Sequence, residues 1–294
     1  MTAGVDPPLT ATLHVPRSRT AERIRRAIHP AASVAATAGS GVITIFTTFN
    51  LPQQRGLGHA LRGRDSNRSD RVPPSYCTEM PDSFDLAQTD RLLTTTRAVR
   101  KRLDLTRAVP RELILDCIRV ATQAPAGGNV QRWRWLVVDD PGVKSQLADL
   151  YRRAYAPYMA AQRAAVQQTG RTGMEAILSS SDHLANVLHE VPAMVIPCSL
   201  GRPPEGSQGT VAGYYGSILP AVWSFMLAAR SRGLGTAWTT LHLEFEAEAR
   251  GVLGIPDTVT QVALTPVAYF TGDDFKPGTR RAAEEITYFN GWKS

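Results

Sequence analysis

Residues 124–135 read Ala-Pro-Ala-Gly-Gly-Asn-Val-Gln-Arg-Trp-Arg-Trp. This stretch constrains the chain more than any other, because a helical pattern must stop here and an extended one must begin. Upstream, Leu113, Ile114, Cys117, Ile118 and Ala121 fall on one face of a helix predicted over 110–123, with Pro110 suited to its first turn. Pro125 cannot continue that helix, and Gly127 and Gly128 let backbone or a flat ligand approach closely. Trp133 to Asp139 then reads as a strand. Asn129 and Gln131 each carry a donor and an acceptor on one group, which suits the mixed polar edge of a heterocycle. An ordinary turn with solvated amides would read the same way.

A second cluster lies about thirty residues upstream. Arg97-Ala98-Val99-Arg100-Lys101-Arg102 places four basic residues in six, after a helix predicted over 85–95. Arginines so spaced can clamp a phosphate through bidentate hydrogen bonds. A solvated basic turn is the alternative.

The rest of the catalytic repertoire is thin. Gly233-Leu234-Gly235 begins like a dinucleotide fingerprint, but Trp238 stands at the third glycine position and the segment closes a helix. His183 and His189 are six apart on a predicted helix and face different ways, so they make a poor metal pair. No metal site is expected. His242 follows a strand end, where a surface role or one behind a ligand site is expected. Cys77, Cys117 and Cys198 are far apart, with no metal or CxxC spacing. Cys117 and Cys198 sit in apolar patterns and read as small buried hydrophobes. The odd count fits a reducing compartment, and the expected location is cytoplasmic.

Composition separates the chain at Phe84. Ten arginines and six acidic residues precede it, and 23 basic and 20 acidic residues follow. The formal charge of +7 is therefore spread thinly and does not call for nucleic acid. Residues 1–83 are rich in Pro, Gly, Ser, Thr, Ala and Arg. They are expected to be a disordered extension, or one lying outside the natural start, with 84–294 as the folded domain. Arg25-Arg26 before the uncharged run 30–50 half matches an export signal or membrane anchor. That run is diluted by Ser, Thr and Gly, so no membrane segment is expected.

From Phe84 the pattern alternates. Helices are predicted over 141–158, 175–190, 213–232 and 244–253, and strands over 191–200, 236–240 and 258–270. The 213–232 helix is apolar on most faces and should be central and buried. The fold class expected is α+β, with helices around a small mixed sheet.

The order of these pieces resembles the nitroreductase family of flavin enzymes. A basic cluster, a helix, Ala-Pro-x-x-Gly-Asn-x-Gln and an aromatic strand come first. The apolar helix ending Arg-Ser-Arg-Gly-Leu-Gly, then Gly254-Ile255-Pro256, Arg280 and Asn290-Gly291-Trp292 complete it. The resemblance covers roughly 84–292. It implies a nitroreductase-like fold and a flavin mononucleotide (FMN) whose phosphate is held by Arg97, Ala98, Arg100 and Arg280. It implies that Pro125, Ala126, Gly127, Asn129 and Gln131 meet the flavin. Thr239, Thr240 and Leu241 fall where the family places the backbone beside flavin N5. Ala98 and Gly127 each lack a hydroxyl that relatives often supply, and Arg102 stands where an aromatic is common. The resemblance further implies a homodimer with shared sites, NAD(P)H as hydride donor, and a small electron-poor acceptor such as a nitroaromatic or quinone. No catalytic side chain is implied, because the flavin carries the redox chemistry. Two other readings stay open: a protein that stores or sequesters FMN, and a reductive dehalogenase of the same superfamily. For the latter, the region 160–173 offers only Arg163 and Arg171 for a charged aromatic substrate.

Overall fold

The computed structural model describes residues 84–170 and 173–292, together with the backbone of three short strands nearer the N-terminus. The chain divides into two units, 1–73 and 74–294. In the first, β1 (Ala11–Thr12), β2 (Ser33–Gly39) and β3 (Val42–Thr48) form an antiparallel sheet in the order β1-β3-β2. Most of the expected N-terminal extension lies outside the described residues, as does Cys77.

The second unit is built on a five-stranded sheet. Its strands are β4 (Trp133–Val138), β5 (Ala193–Leu200), β6 (Leu234–Thr236), β7 (Val259–Gln261) and β8 (Thr265–Tyr269). They run β4-β5-β8-β6, with β7 pairing the far end of β5, and every pairing is antiparallel. The sheet is therefore antiparallel rather than mixed. Strand β5 is apolar from Ala193 to Cys198 because helices cover both its faces. Met194, Ile196 and Cys198 join one core with α3 (Pro141–Thr169) and α4 (Glu175–Val187). Ala193 and Val195 join another with α2 (Arg111–Ala121) and α6 (Leu219–Ser231). This is the period of two expected of a strand buried on both sides.

Helix α1 (Leu86–Thr95) is capped by the Asp85 carboxylate, which accepts from the Gln88 N–H. In α2, Ile114, Cys117 and Ala121 are buried and Leu113 and Ile118 pack beside them, as the periodicity predicts. Both Cys117 and Cys198 are fully buried, and burial pushes their thiols up to about 11 and about 12.

Four expected elements differ. The strand expected over 236–240 is Leu234–Thr236, and beyond it Thr239 makes only an isolated bridge to Leu264. Helix α3 continues past 158 to Thr169, although Pro157 lies inside it. The Ala- and Gln-rich stretch after Pro157 is a strong helix former, and Gly170 ends it at φ 61°. The helix expected over 213–232 is two: α5 (Gln208–Gly216) and α6, broken at Ser217–Ile218 just before Pro220. Only α6 is central, and α5 buries none of its residues. The strand expected over 258–270 is divided between β7 and β8 as the chain steps from one end of β5 to the other. A one-turn helix, Leu241–Phe245, leads into α7 (Glu246–Leu253).

Candidate functional site

After α2 the chain makes a single tight turn at Gly127–Asn129 before entering β4. Two of its residues lie in the left-handed region, Gly128 at φ 58° and Asn129 at 54°, and so does Gln131 just beyond it at 50°. Asn tolerates this conformation through its short amide, whereas Gln pays a steric cost of about 1–3 kcal/mol. The two side chains face each other. Gln131 Nε2 donates to Asn129 Oδ1 at 2.8 Å, and both residues are exposed. The loop is anchored from the α5–α6 junction. The Gly127 N–H donates to Ser217 Oγ at 2.9 Å, and Trp133 Nε1 donates to the Ser217 carbonyl at 2.5 Å. A cavity of about 310 Å³ lies behind it, with Gly127, Gln131, Trp133, Tyr214 and Ser217 in its wall.

The basic turn adds to the free edge of β6. Ala98 bridges Thr236, and the Val99 N–H donates to the Thr236 carbonyl at 2.8 Å. Val99 is buried, which leaves its neighbours on the outer side. Arg97 Nη1 donates to the Lys276 carbonyl at 3.1 Å, and Arg280 Nη1 to the Thr279 carbonyl at 2.8 Å. Arg97 thus meets the segment that carries Arg280, four residues beyond Lys276. Arg100 lies close enough to Tyr151 of α3 for its charge to be felt there. Burial pushes the Tyr151 phenol up to about 12, and the charge of Arg100 pulls it partly back. Among the described residues, Arg97, Arg100 and Arg280 have no carboxylate partner. By contrast, Arg91 and Arg230 both pair with Asp274, Arg91 at 2.7 Å. Asp274 is held down to about 2, first by its hydrogen bond to Arg91. Arg102 packs on two aromatic rings. Its guanidinium lies 4.2 Å from the Phe275 ring and 5.5 Å from Phe270, and Nε donates to the Thr271 carbonyl at 2.6 Å.

In the 239–241 segment, Thr239 is buried. Its N–H and hydroxyl both donate to the Leu264 carbonyl, at 3.0 and 2.9 Å. Thr240 is exposed and Leu241 half-buried. His242 is not at the surface: it is fully buried, with neither ring nitrogen hydrogen-bonded to another group among the described residues. Burial pulls its imidazole down to about 4, against a smaller opposing pull from Glu246.

The two clusters sit at opposite ends of α6. Ser217, just before its first residue, holds the amide loop. Arg230 and Ser231, in its last turn, border the Asp274 loop that leads to Lys276 and Arg280. Thirteen residues of helix span roughly 20 Å. Among the described residues, no hydrogen bond or ion pair joins Arg97, Arg100 or Arg280 to the 125–131 loop. Sequence reasoning missed Ser217, Asp274 and Lys276. Only Pro220, a first-turn proline, signalled the helix break that exposes Ser217.

A profile of the Nitroreductase family matches residues 93–269. The chain belongs to the nitroreductase family. Members of this family are flavin oxidoreductases whose reactions differ. An iodotyrosine deiodinase of Nematostella vectensis is 24% identical over 241 residues, covering 77% of this chain and 86% of its own. A crystal structure of oxidized iodotyrosine deiodinase bound to FMN and 3-iodo-L-tyrosine is 25% identical, with a TM-score of 0.50. That match covers 68% of this chain and 98% of the deiodinase. The FMN-dependent nitroreductase NfnB of Mycobacterium smegmatis, crystallised with NADPH, is 20% identical with a TM-score of 0.51. It covers 70% of this chain and 100% of its own, and shows the shared fold. The α+β nitroreductase-like architecture follows from these likenesses and from the sheet and helices described above.

Proposed function

We propose that this protein is an FMN-dependent oxidoreductase, which takes hydride from NAD(P)H and passes electrons to a small electron-poor acceptor such as a nitroaromatic or quinone. The observation that carries the proposal is the pairing of two exposed clusters. One holds arginines without carboxylate partners, and the other holds two outward-facing amides on left-handed backbone. These chemistries fit the two ends of FMN. Arg97, Arg100 and Arg280 would hold the phosphate, with the Ala98 backbone beside them. Pro125, Ala126 and Gly127 would let the ring approach, and Asn129 and Gln131 would meet its pyrimidine edge. The Thr239 N–H is committed to Leu264, so Thr240 and Leu241 would offer backbone N–H groups near N5, with Thr239 anchoring them. Bound FMN would supply the redox chemistry through N5.

The separation of the clusters along α6 favours a homodimer in which one subunit's arginines and its partner's amides share each flavin. Trp223 on α6 is 40% exposed, and α5 carries no buried residue, so both leave apolar surface for a second copy. A mixed dimer tests this. One subunit carries Arg97→Ala and Arg280→Ala, and the other Asn129→Ala and Gln131→Ala. Shared sites leave one pocket intact and restore part of the activity. Sites confined to one chain stay damaged, and mixing restores nothing.

Reductive dehalogenation is the second reading, favoured by the deiodinase likenesses. Against a charged tyrosine-like substrate, Arg163 is tied to Asp182 at 2.7 Å, and Tyr155 also donates to that carboxylate at 2.7 Å. Anaerobic reduction of the yellow protein by NADH or NADPH decides the enzyme reading, with reoxidation by a nitroaromatic, a quinone or a halotyrosine compared. Rapid reoxidation by the first two supports the proposal. Preference for the halotyrosine supports dehalogenation. A bound flavin that NAD(P)H does not reduce rejects the proposed donor, and one that never turns over leaves FMN storage.

A further inference from the structure

Gly127 adopts no left-handed backbone, so its own conformation does not demand glycine. What demands it is Ser217. A Cβ placed on Gly127 would stand 3.0 Å from Ser217 Oγ, closer than a comfortable contact. The space a side chain at 127 would fill already holds the Ser217 hydroxyl. That hydroxyl accepts from the Gly127 N–H at 2.9 Å and donates to the Gly213 carbonyl at 2.7 Å. The Ser217 carbonyl meanwhile accepts from Trp133 Nε1 at 2.5 Å. The left-handed residues Gly128, Asn129 and Gln131 lie between these two anchors. One residue thus pins both flanks of the strained segment.

We propose that Ser217 is the positioning residue for the amide loop, supplying from the α5–α6 junction the hydroxyl that the loop lacks at Gly127. Positions 127 and 217 then form a coupled pair in which one side chain serves both. Strained backbone persists only where its surroundings over-determine it. Without the Ser217 hydroxyl, the Gly127 end of the segment is free to relax, and Asn129 and Gln131 lose their presentation. This inference rests on the FMN reading above for its effect on flavin, but not for its effect on the loop.

The test uses the full chain and four variants: Ser217→Ala, Ser217→Thr, Gly127→Ser, and Gly127→Ser with Ser217→Ala. Two quantities are read: hydrogen exchange of the 124–132 backbone in flavin-free protein, and the FMN dissociation constant by titration. Ser217→Ala should speed loop exchange and weaken FMN binding about twofold to tenfold, the range of one hydrogen bond. Ser217→Thr, which keeps the hydroxyl, should restore both. Gly127→Ser alone should weaken binding through the close contact, and adding Ser217→Ala should recover it. The double variant then binds more tightly than the product of the single effects allows. Unchanged loop exchange in Ser217→Ala, or strictly additive effects in the double variant, overturns the assignment. If the wild-type chain takes up no FMN, the flavin reading fails, while loop exchange still decides the role of Ser217.

Discussion

Gly235→Ala examines the joint between β6 and the basic turn. The new Cβ would lie 3.0 Å from Val99 Cβ and Cγ1 and 3.1 Å from Leu103 Cδ2. Carbon atoms rest at about 3.5–4.0 Å, so something must move by roughly half an ångström. Strand β6 is held on its other edge by β8, through Leu234–Tyr269 and Thr236–Val267. The 97–103 turn is therefore the part that gives way, pulling on the Val99–Thr236 hydrogen bond. Overpacking of this kind costs about 1–3 kcal/mol. For a unit of this size, each kcal/mol lowers the unfolding midpoint by roughly 2–4 °C. Because Arg97 and Arg100 flank Val99, the same shift should misplace a phosphate contact worth about 1.5–3 kcal/mol, a tenfold or greater loss of FMN affinity. Thermal unfolding and titration of the flavin-free protein with FMN measure both. Gly251→Ala is the control. A Cβ there meets nothing within 4 Å, and Ala in a helix should stabilise by about 0.5–1 kcal/mol. A Gly235→Ala protein with wild-type midpoint and affinity would refute the reasoning.

Other outcomes follow from the same geometry. Arg280→Ala should weaken FMN binding about tenfold to a hundredfold while leaving the bound flavin's spectrum unchanged, and unaltered affinity in the folded variant rejects its role. His242 is held neutral by burial, its imidazole at about 4 rather than the ordinary 6.5. The stability this contributes is full above pH 6.5 and is lost as the pH falls toward 4, about 3 kcal/mol in all. Urea unfolding at pH 7 and pH 4 should show a smaller difference in His242→Leu than in the wild type, and equal differences would exclude His242 as the source. A chain beginning near Asp82 should keep its flavin and activity, because the composition before it supports little burial. Loss of folding on truncation would place that segment in the core or the dimer.

Much of the fold was legible wherever one physical rule acted locally. The face Ile114, Cys117 and Ala121 follows from helical period alone. Pro141 marks a helix start, and the Asp140 carboxylate caps it by accepting from the Val143 N–H. The unread parts are those set by distant partners. Hydropathy joins α5 to α6 because both are apolar, yet the break at Ser217 is fixed by the loop it holds. The 258–270 stretch reads as one strand because it is rich in β-branched and apolar residues, while its division follows from the length of β5. Pro157 suggests a helix end that the strong helix formers after it override. The site followed the same division. Arg97, Asn129, Gln131 and Arg280 stand out by residue type, but their holders Ser217 and Lys276 are ordinary residues far away in sequence.

The departures from local rules fall where the motifs do. Gln131 occupies a backbone conformation that costs energy, and nothing in the loop's own packing requires it. Arg97 and Arg280 satisfy single N–H groups on main-chain carbonyls and find no carboxylate among the described residues, although Asp274 close by serves two other arginines. A fold selected for stability alone would relax the first, whereas unpaired arginines also occur elsewhere on the described surface. Each departure favours a ligand of one kind: the amide on strained backbone a flat polar edge, the bare guanidiniums an anion. Strain and unbalanced charge tend to be kept where a site uses them. That both occur at opposite ends of one buried helix supports a divided FMN site, on grounds separate from the likeness of any motif.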